Sequence, residues 1–352
     1  MSPARAGMPD AWPDEGLETL SACPICGGTE AALLHGALRD EVFFSAPGTW
    51  RMWRCGHCRS GFLNPRPNEA TIGLAYRSYY THEDENAAPL PAAAGNGFKQ
   101  ALANGYRNWR YGTHLAPANA IGIAAGLVLP PVRWGLDFEH RYLPRPPHGT
   151  EYRVLDVGCG DGSWLEWIGA RGWRAAGAEP DPVAQQRAAA RGLDVRQGDI
   201  SAWTGCDEQF DAITMSHVIE HVHDPVATLR SALSLLRPGG RLFVETPNID
   251  ALGHGLYGPH WRGLEPPRHL CVFSRRGLSG AARAAGFANL RYRRRPTPIA
   301  VLGLVSARVA ARLPAVGPAE AGAVGPSRWI RLRSAFARGK SEFLTLVCER
   351  PA

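Results

Sequence analysis

The stretch Leu155-Asp-Val-Gly158-Cys-Gly160-Asp-Gly162 decides the fold of this 352-residue chain. It follows Arg153–Val157, a run of the length and apolarity of a buried strand, and it precedes Ser163–Ala170, a predicted helix closed by Gly172. Glycines between a strand and a helix let backbone pass close to a ligand, and the helix start offers free N–H groups. A dinucleotide fold would space its glycines G-x-G-x-x-G, whereas here the third glycine arrives one residue early and Ser163 takes its place. Asp156, inside the strand, would repel a pyrophosphate and suits a cationic ligand.

The pattern continues outward from that loop. Trp173–Ala178 and Val195–Gln197 are predicted strands, with helix Pro182–Arg191 between them carrying Pro in its first turn. Strand Phe210–Ser216 follows, then a helix opened by Asp224-Pro225 that runs to Leu236 and is stopped by Pro238-Gly239-Gly240. Arg241–Glu245 is a further strand, Ser274–Ala285 a helix, and Glu342–Cys348 a last apolar strand. Strands alternating with helices at this spacing imply a parallel sheet covered on both faces, an α/β Rossmann-like architecture.

The acidic residues at the strand ends narrow the ligand. Glu179 lies 21 residues after Gly158, where a carboxylate can take both hydroxyls of a ribose. Asp199 can accept from an adenine amino group. An adenosine-bearing ligand with a positive centre and no phosphates is selected, and S-adenosylmethionine fits. With Leu155–Gly162, Glu179-Pro180-Asp181, Gly198-Asp199, Phe210–Asp224 and Leu236-Arg-Pro-Gly-Gly-Arg241 in this order, the chain resembles class I S-adenosylmethionine-dependent methyltransferases. More narrowly, it resembles the branch with an N-terminal zinc-knuckle module. The resemblance covers residues 152–290 and, more loosely, the last strand. It implies a seven-stranded methyltransferase sheet with one antiparallel strand near the C-terminus. It also implies that Asp156 helps hold the methionine moiety, that Gly158 and Gly160 allow close approach, and that Glu179 and Asp199 bind ribose and adenine. Cys159, Gly162, Pro180, Ile200 and Ser216 would line the same cleft.

Methyl transfer to oxygen or activated carbon needs alignment and removal of a proton. Ser216-His217-Val-Ile-Glu220-His221-Val-His223-Asp224 follows the fourth strand at its carboxyl edge. One helical turn would bring His217, Glu220 and His221 to one face. The string is formally that of an H-x-x-E-H peptidase, without a peptidase context. Two roles stay open for it. His217 or His221 could be a general base, or the trio could bind a divalent cation joined by a distant histidine. The segment resembles small-RNA 2′-O-methyltransferases and ubiquinone-pathway O-methyltransferases, in which acidic residues and histidines hold a metal. Arg268-His269-Leu-Cys-Val-Phe-Ser274 resembles the later histidine element of the RNA enzymes, making His269 that distant ligand. His217 stands where those families carry Glu. The loop Asn248–Leu270, with His254, His260 and Trp261, is expected to be a lid or acceptor-binding element.

Four of the eight cysteines form two C-x-x-C pairs, Cys23-Pro-Ile-Cys26 and Cys55-Gly-His-Cys58. Two such knuckles complete a closed tetrahedral shell for a structural zinc, with Gly27 and Gly56 supplying permissive backbone and a hairpin filling the spacer. Residues 1–80 are the expected knuckle module, 81–97 a linker, 98–150 a connector of two helices, 151–295 and 341–352 the cofactor-binding domain, and 296–340 an insertion. Gly61–Pro67 is a turn-rich exit from the second knuckle, leading to a short helix that reaches Tyr80.

The formal net charge of +7 is uneven: residues 271–352 hold 15 basic and 3 acidic residues. A solvated basic face is expected there, although Arg291-Tyr-Arg-Arg-Arg295 could grip phosphates. No apolar leader opens the chain, so a cytoplasmic location is expected. The apolar segment Ile299–Ala307 is expected to pack over the sheet or pocket rather than on a membrane. The function expected is methylation of a small-molecule or glycan acceptor at O or C. The alternatives are a nucleic-acid methyltransferase and a non-catalytic cofactor-binding interaction protein.

Overall fold

The computed structural model describes residues 11–76, 97–147, 149–205, 209–295, 299–311 and 339–352. The N-terminal part contains strands β1 (Leu17–Glu18), β2 (Ala31–Leu38), β3 (Trp50–Cys55), β4 (Gly61–Leu63) and β5 (Arg66–Pro67). β2 and β3 form the antiparallel pair between the knuckles, with Ala31 opposite Cys55, and β1 pairs with β5. The segment expected as a turn-rich exit is instead strand β4. Gly61 there is a close-approach residue, because a Cβ on it would stand 3.0 Å from Met52 Sδ and 3.1 Å from Ile249 Cδ1. The expected helix beyond it is one short turn, Ile72–Tyr76, and Tyr79 and Tyr80 lie outside the described residues.

The connector holds three helices rather than two: α1 (Gly97–Tyr111), α2 (Ile121–Val128) and α3 (Pro130–Glu139). Leu129 precedes a proline, which disfavours helical backbone, and it sits at φ −108°, ψ 86°, so the apolar run breaks and restarts. α2 packs on α1 through small residues. A Cβ on Gly122 would lie 1.8 Å from Leu102 O, and one on Gly126 2.2 Å from the Tyr106 ring.

The main sheet follows with β6 (Tyr152–Val157), α4 (Ser163–Gly169), β7 (Trp173–Glu179), α5 (Pro182–Ala190), β8 (Asp194–Gln197), β9 (Phe210–Ser216), α6 (Pro225–Leu235) and β10 (Leu236–Pro247). After α7 (Leu252–Tyr257) and β11 (Cys271–Val272) come α8 (Arg275–Ala285), β12 (Ala288–Arg293), α9 (Ile299–Ala310) and β13 (Phe343–Glu349). Seven strands lie in the order β12-β13-β10-β9-β6-β7-β8, with β13 antiparallel to both neighbours and the β10 to β8 portion parallel. This is the seven-stranded Rossmann-like sheet, with an antiparallel strand near the C-terminus, that the sequence predicts. Apolar residues of α6 and α8 join one buried cluster with the sheet, and those of α4 and α5 join another, so both faces are covered. From β6 the chain winds outward to β8 and then returns to β9 and β10, which opens a crevice at the carboxyl end of β6.

Two features were not foreseen. β12 is an edge strand in which Arg291 and Arg293 alternate outward, as charged residues do where an edge must not pair with other chains. The exposure of Arg291 and Arg293 agrees with the solvated basic face expected, and Arg295 turns inward to pair with Glu245. The N-terminal sheet is also not self-contained. Its order is β11-β4-β3-β2, with Cys271 opposite Phe62, so a strand from the loop after β10 completes it. Ser274 Oγ adds a 2.6 Å hydrogen bond to the carbonyl of Cys58. Within the expected insertion, α9 packs on α7, and residues 312–338 lie outside the described residues.

Adding a methyl group at Gly122 forces α2 off α1. Gly122→Ala should lower unfolding stability by about 1–3 kcal/mol in urea denaturation, and an unchanged midpoint would contradict this packing.

Candidate functional site

The Gly loop leaves β6 with Gly158, Gly160 and Gly162 all at positive φ, between +58° and +78°. A Cβ on Gly162 would meet Leu193 Cδ1 at 2.4 Å, so that glycine serves helix packing. One on Gly160 would meet nothing within 4 Å, which is the open approach a ligand needs. Gly160 N donates to Glu179 Oε2 at 2.8 Å, and Asp181 N donates to Oε1 at 2.9 Å. Glu179 is thus held rigidly at the end of β7, and burial raises its pKa despite these two amides. Asp156 is buried, accepts from Thr214 Oγ1 at 2.8 Å and pairs with Arg141, whose guanidinium lies 3.7 Å over the Trp164 ring. Asp199 Oδ1 accepts from Ser201 N at 2.8 Å and caps a short turn. Ser216 ends β9 and Pro180 is exposed at the loop after β7. Cys159 and Ile200 point into the core, so at these positions only the backbone can face the cleft. Arg141 escaped the sequence reading because it belongs to no motif and lies in the boundary loop before β6.

The loop reaches the histidine segment directly: a Cβ on Gly158 would stand 2.7 Å from Val218 Cγ2. Residues 217–223 form turns rather than the helical turn expected, and His217 adopts φ +58°. Its ring is 39% exposed and lies between two buried carboxylates, with Nδ1 3.1 Å from Glu220 Oε1 and Nε2 3.1 Å from Glu245 Oε1. Burial opposes its charge, but the hydrogen bonds to Glu220 and Glu245 prevail and lift its pKa to about 9. The two carboxylates thus favour the charged form of His217.

Glu220, His221 and His269 are brought together instead, with one donor atom from each within 4.8 Å of the others. Burial lowers the pKa of His221, and lowers that of His269 to about 4, leaving both imidazoles neutral. His221 Nδ1 lies 3.1 Å from the carbonyl of Arg268, and His269 Nδ1 2.9 Å from that of Gly263. A carbonyl only accepts, so His269 carries its proton on Nδ1 and keeps the Nε2 lone pair, whereas His221 Nδ1 is shared between the Arg268 carbonyl and the Tyr76 hydroxyl. Burial would raise the pKa of Glu220, yet the hydrogen bond from His217 and the nearby histidines bring it to about 2. Its second oxygen, Oε2, is buried and has no hydrogen-bond partner among the described residues. A lone carboxylate oxygen and two imidazole lone pairs are a donor set that fits a divalent cation and leaves positions open.

His269 is braced by residues the sequence did not single out. The fully buried Arg268 donates to Asp40 Oδ1 at 2.7 Å, Ser45 Oγ at 2.8 Å and Glu265 Oε1 at 2.9 Å. Tyr76 Oη lies 2.9 Å from His221 Nδ1. The lid histidines are engaged elsewhere: His254 Nε2 meets His35 Nε2 at 2.9 Å, and His260 faces Glu41. Trp261 is buried and donates to Glu342 Oε2 at 2.8 Å.

The four knuckle cysteines converge. Cys23 and Cys58 sulfurs are 3.7 Å apart, Cys26 and Cys55 sulfurs 3.6 Å, and all four lie within 4.8 Å. Four Zn–S bonds of about 2.3 Å in a tetrahedron require sulfur separations of about 3.8 Å, so the set fits zinc. Gly27 takes the expected positive φ, but in the second knuckle Arg59 does so, at +66°. Gly56 instead lies against Glu30, to whose carbonyl its N–H donates at 2.8 Å.

Residues 134–292 match a family model described as a methyltransferase domain. A stretch of 150 residues is 36% identical to a ubiquinone biosynthesis O-methyltransferase of Methylocella silvestris, covering 37% of this chain and 58% of that protein. The protein of the same name from Aeromonas salmonicida is 36% identical over 103 residues, covering 27% of this chain and 43% of its own length. The chain thus spans about half the length of these curated relatives. A solved SAM-dependent methyltransferase of Thermotoga maritima, described as a possible histamine N-methyltransferase, is 21% identical with a TM-score of 0.40. It covers 57% of this chain and 83% of its own.

Because His217 has a raised pKa in the folded chain, its stabilisation is complete below pH 6.5 and is lost as pH rises through about 9. Urea midpoints of the metal-free protein should fall across that window, and His217→Gln should flatten the fall; an equal slope in both would contradict the pairing. Metal analysis should find zinc in the purified chain and lose it in Cys26→Ser. Full zinc retention in that variant would remove the knuckle assignment.

Proposed function

We propose that this chain, whose residues 134–292 form a methyltransferase domain, transfers the methyl group of S-adenosylmethionine to a hydroxyl of a small-molecule acceptor. The observation that carries the reading is the Glu220 carboxylate, clustered with two neutral histidines beside the Gly loop, whose Oε2 has no hydrogen-bond partner among the described residues. Likeness to relatives named as O-methyltransferases supports oxygen as the acceptor atom.

When bound, S-adenosylmethionine supplies a methyl group on a cationic sulfur, open to in-line attack. Glu179 orients the adenosine end through a carboxylate fixed by two amides, and Gly160 leaves room for backbone approach. Arg141, held over Trp164, offers a guanidinium to the methionine carboxylate, and Asp156 keeps it in place. Glu220, His221 and His269 would hold a divalent cation, which polarises an acceptor hydroxyl and lowers its pKa. His217 hydrogen-bonds Glu220 Oε1 and so fixes the carboxylate of the cluster, and the acceptor's hydroxyl proton leaves to water.

A sugar or polysaccharide hydroxyl is a second reading. Its support is chemical: the vicinal hydroxyls of a sugar offer a cation two adjacent oxygens. An acceptor panel of catechols and nucleotide sugars with isotopically labelled cofactor separates the two by mass spectrometry.

Glu220→Gln keeps the shape and removes the anionic donor. Turnover should fall about 100-fold or more while cofactor affinity by calorimetry stays within about twofold. EDTA should reproduce that loss in the wild type, and added divalent cation should reverse it. Undiminished turnover in the variant would overturn the cation reading.

A further inference from the structure

The connector helices present their residues the wrong way round for a surface in water. α2 turns its glycines towards α1 and its large apolar residues outward, with Ile121 64% and Val128 73% exposed. From Leu127 the exposed run continues without interruption through Val128, Leu129, Pro130, Pro131 and Val132. Six adjacent apolar residues at the bend between α2 and α3 form a tip, where a helix in water would place polar side chains. Among the described residues no single helix is long and apolar enough to cross a membrane. α2 and α3 reach that hydropathy only together and are bent by 105°. The geometry is that of a shallow wedge.

What surrounds the tip identifies its partner. A cavity of about 470 Å³ opens beside Leu127 and is lined by Arg110, Arg133, Arg293 and Arg294, with Asp137 as the one acidic residue of the lining. Trp109 and Trp134 line it too, Trp109 being half exposed and Trp134 lying under the Arg294 guanidinium at 5.0 Å. An apolar tip, then indole rings, then a ring of arginines is the sequence of chemistries met on crossing from acyl chains through the interface to anionic headgroups. A second copy of this chain would bring the same four arginines towards their like.

We infer that the α2–α3 tip inserts into the surface of an anionic lipid bilayer, with the arginine-lined cavity receiving a lipid phosphate. The inference is independent of methyl transfer, since membrane binding needs neither cofactor nor acceptor. It is distinct from the expectation for Ile299–Ala307, which packs on α7.

The test is flotation of the full chain with phosphatidylcholine vesicles, with and without phosphatidylglycerol. Wild type should float with the anionic vesicles and lose most binding at high salt. The double substitution Val128→Asp and Leu129→Asp should weaken binding about tenfold or more. Arg110→Glu with Arg133→Glu should remove the preference for anionic vesicles. Both sites are on the surface, and circular dichroism together with retained cofactor affinity verifies folding. Wild type that stays unbound, or a tip variant that floats equally well, would overturn the inference. A dimer in solution that the tip variant dissociates, without flotation, would assign the tip to a second copy and overturn it equally.

Discussion

A carboxylate oxygen taken out of water and left without a partner costs several kcal/mol, and Glu220 Oε2 is in that condition. The rest of the site is arranged around this one atom. His217 satisfies the other oxygen and compensates its charge, and Glu245 holds His217 from the far side. The neutral imidazoles of His221 and His269 each bring a ring nitrogen within 4.8 Å of the carboxylate. The arrangement is consistent with a site built around an ion.

This constraint explains why the N-terminal knuckles are joined to the crevice. His269 sits two residues before β11, which completes the knuckle sheet, and Ser274 closes the other side on Cys58. Asp40, from the loop after β2, grips Arg268 beside it. The four-cysteine cluster, which fits zinc, thereby braces the strand that follows His269, one donor of the second cluster. The two clusters share one scaffold.

Much of this was legible because the signals are local. A Gly loop, an acidic residue at each strand end and paired C-x-x-C motifs each fix a turn within a few residues, and the strand and helix alternation around them follows. The legible part ends where long-range contact decides. Nothing around His217 reveals that Glu245, at the far end of another strand, lies against its Nε2. Arg141 and Asp40 act through partners 15 and 228 residues away. Gly61 looked like a turn because only the folded sheet shows Met52 pressed against it.

The most direct test of the central claim is anomalous diffraction from crystals soaked in manganese. The account predicts a peak about 2.0–2.3 Å from Glu220 Oε2 and from the Nε2 atoms of His221 and His269, with His217 outside the coordination shell. An empty cluster at saturating manganese, or an ion bound through His217 and Glu245 instead, would contradict it.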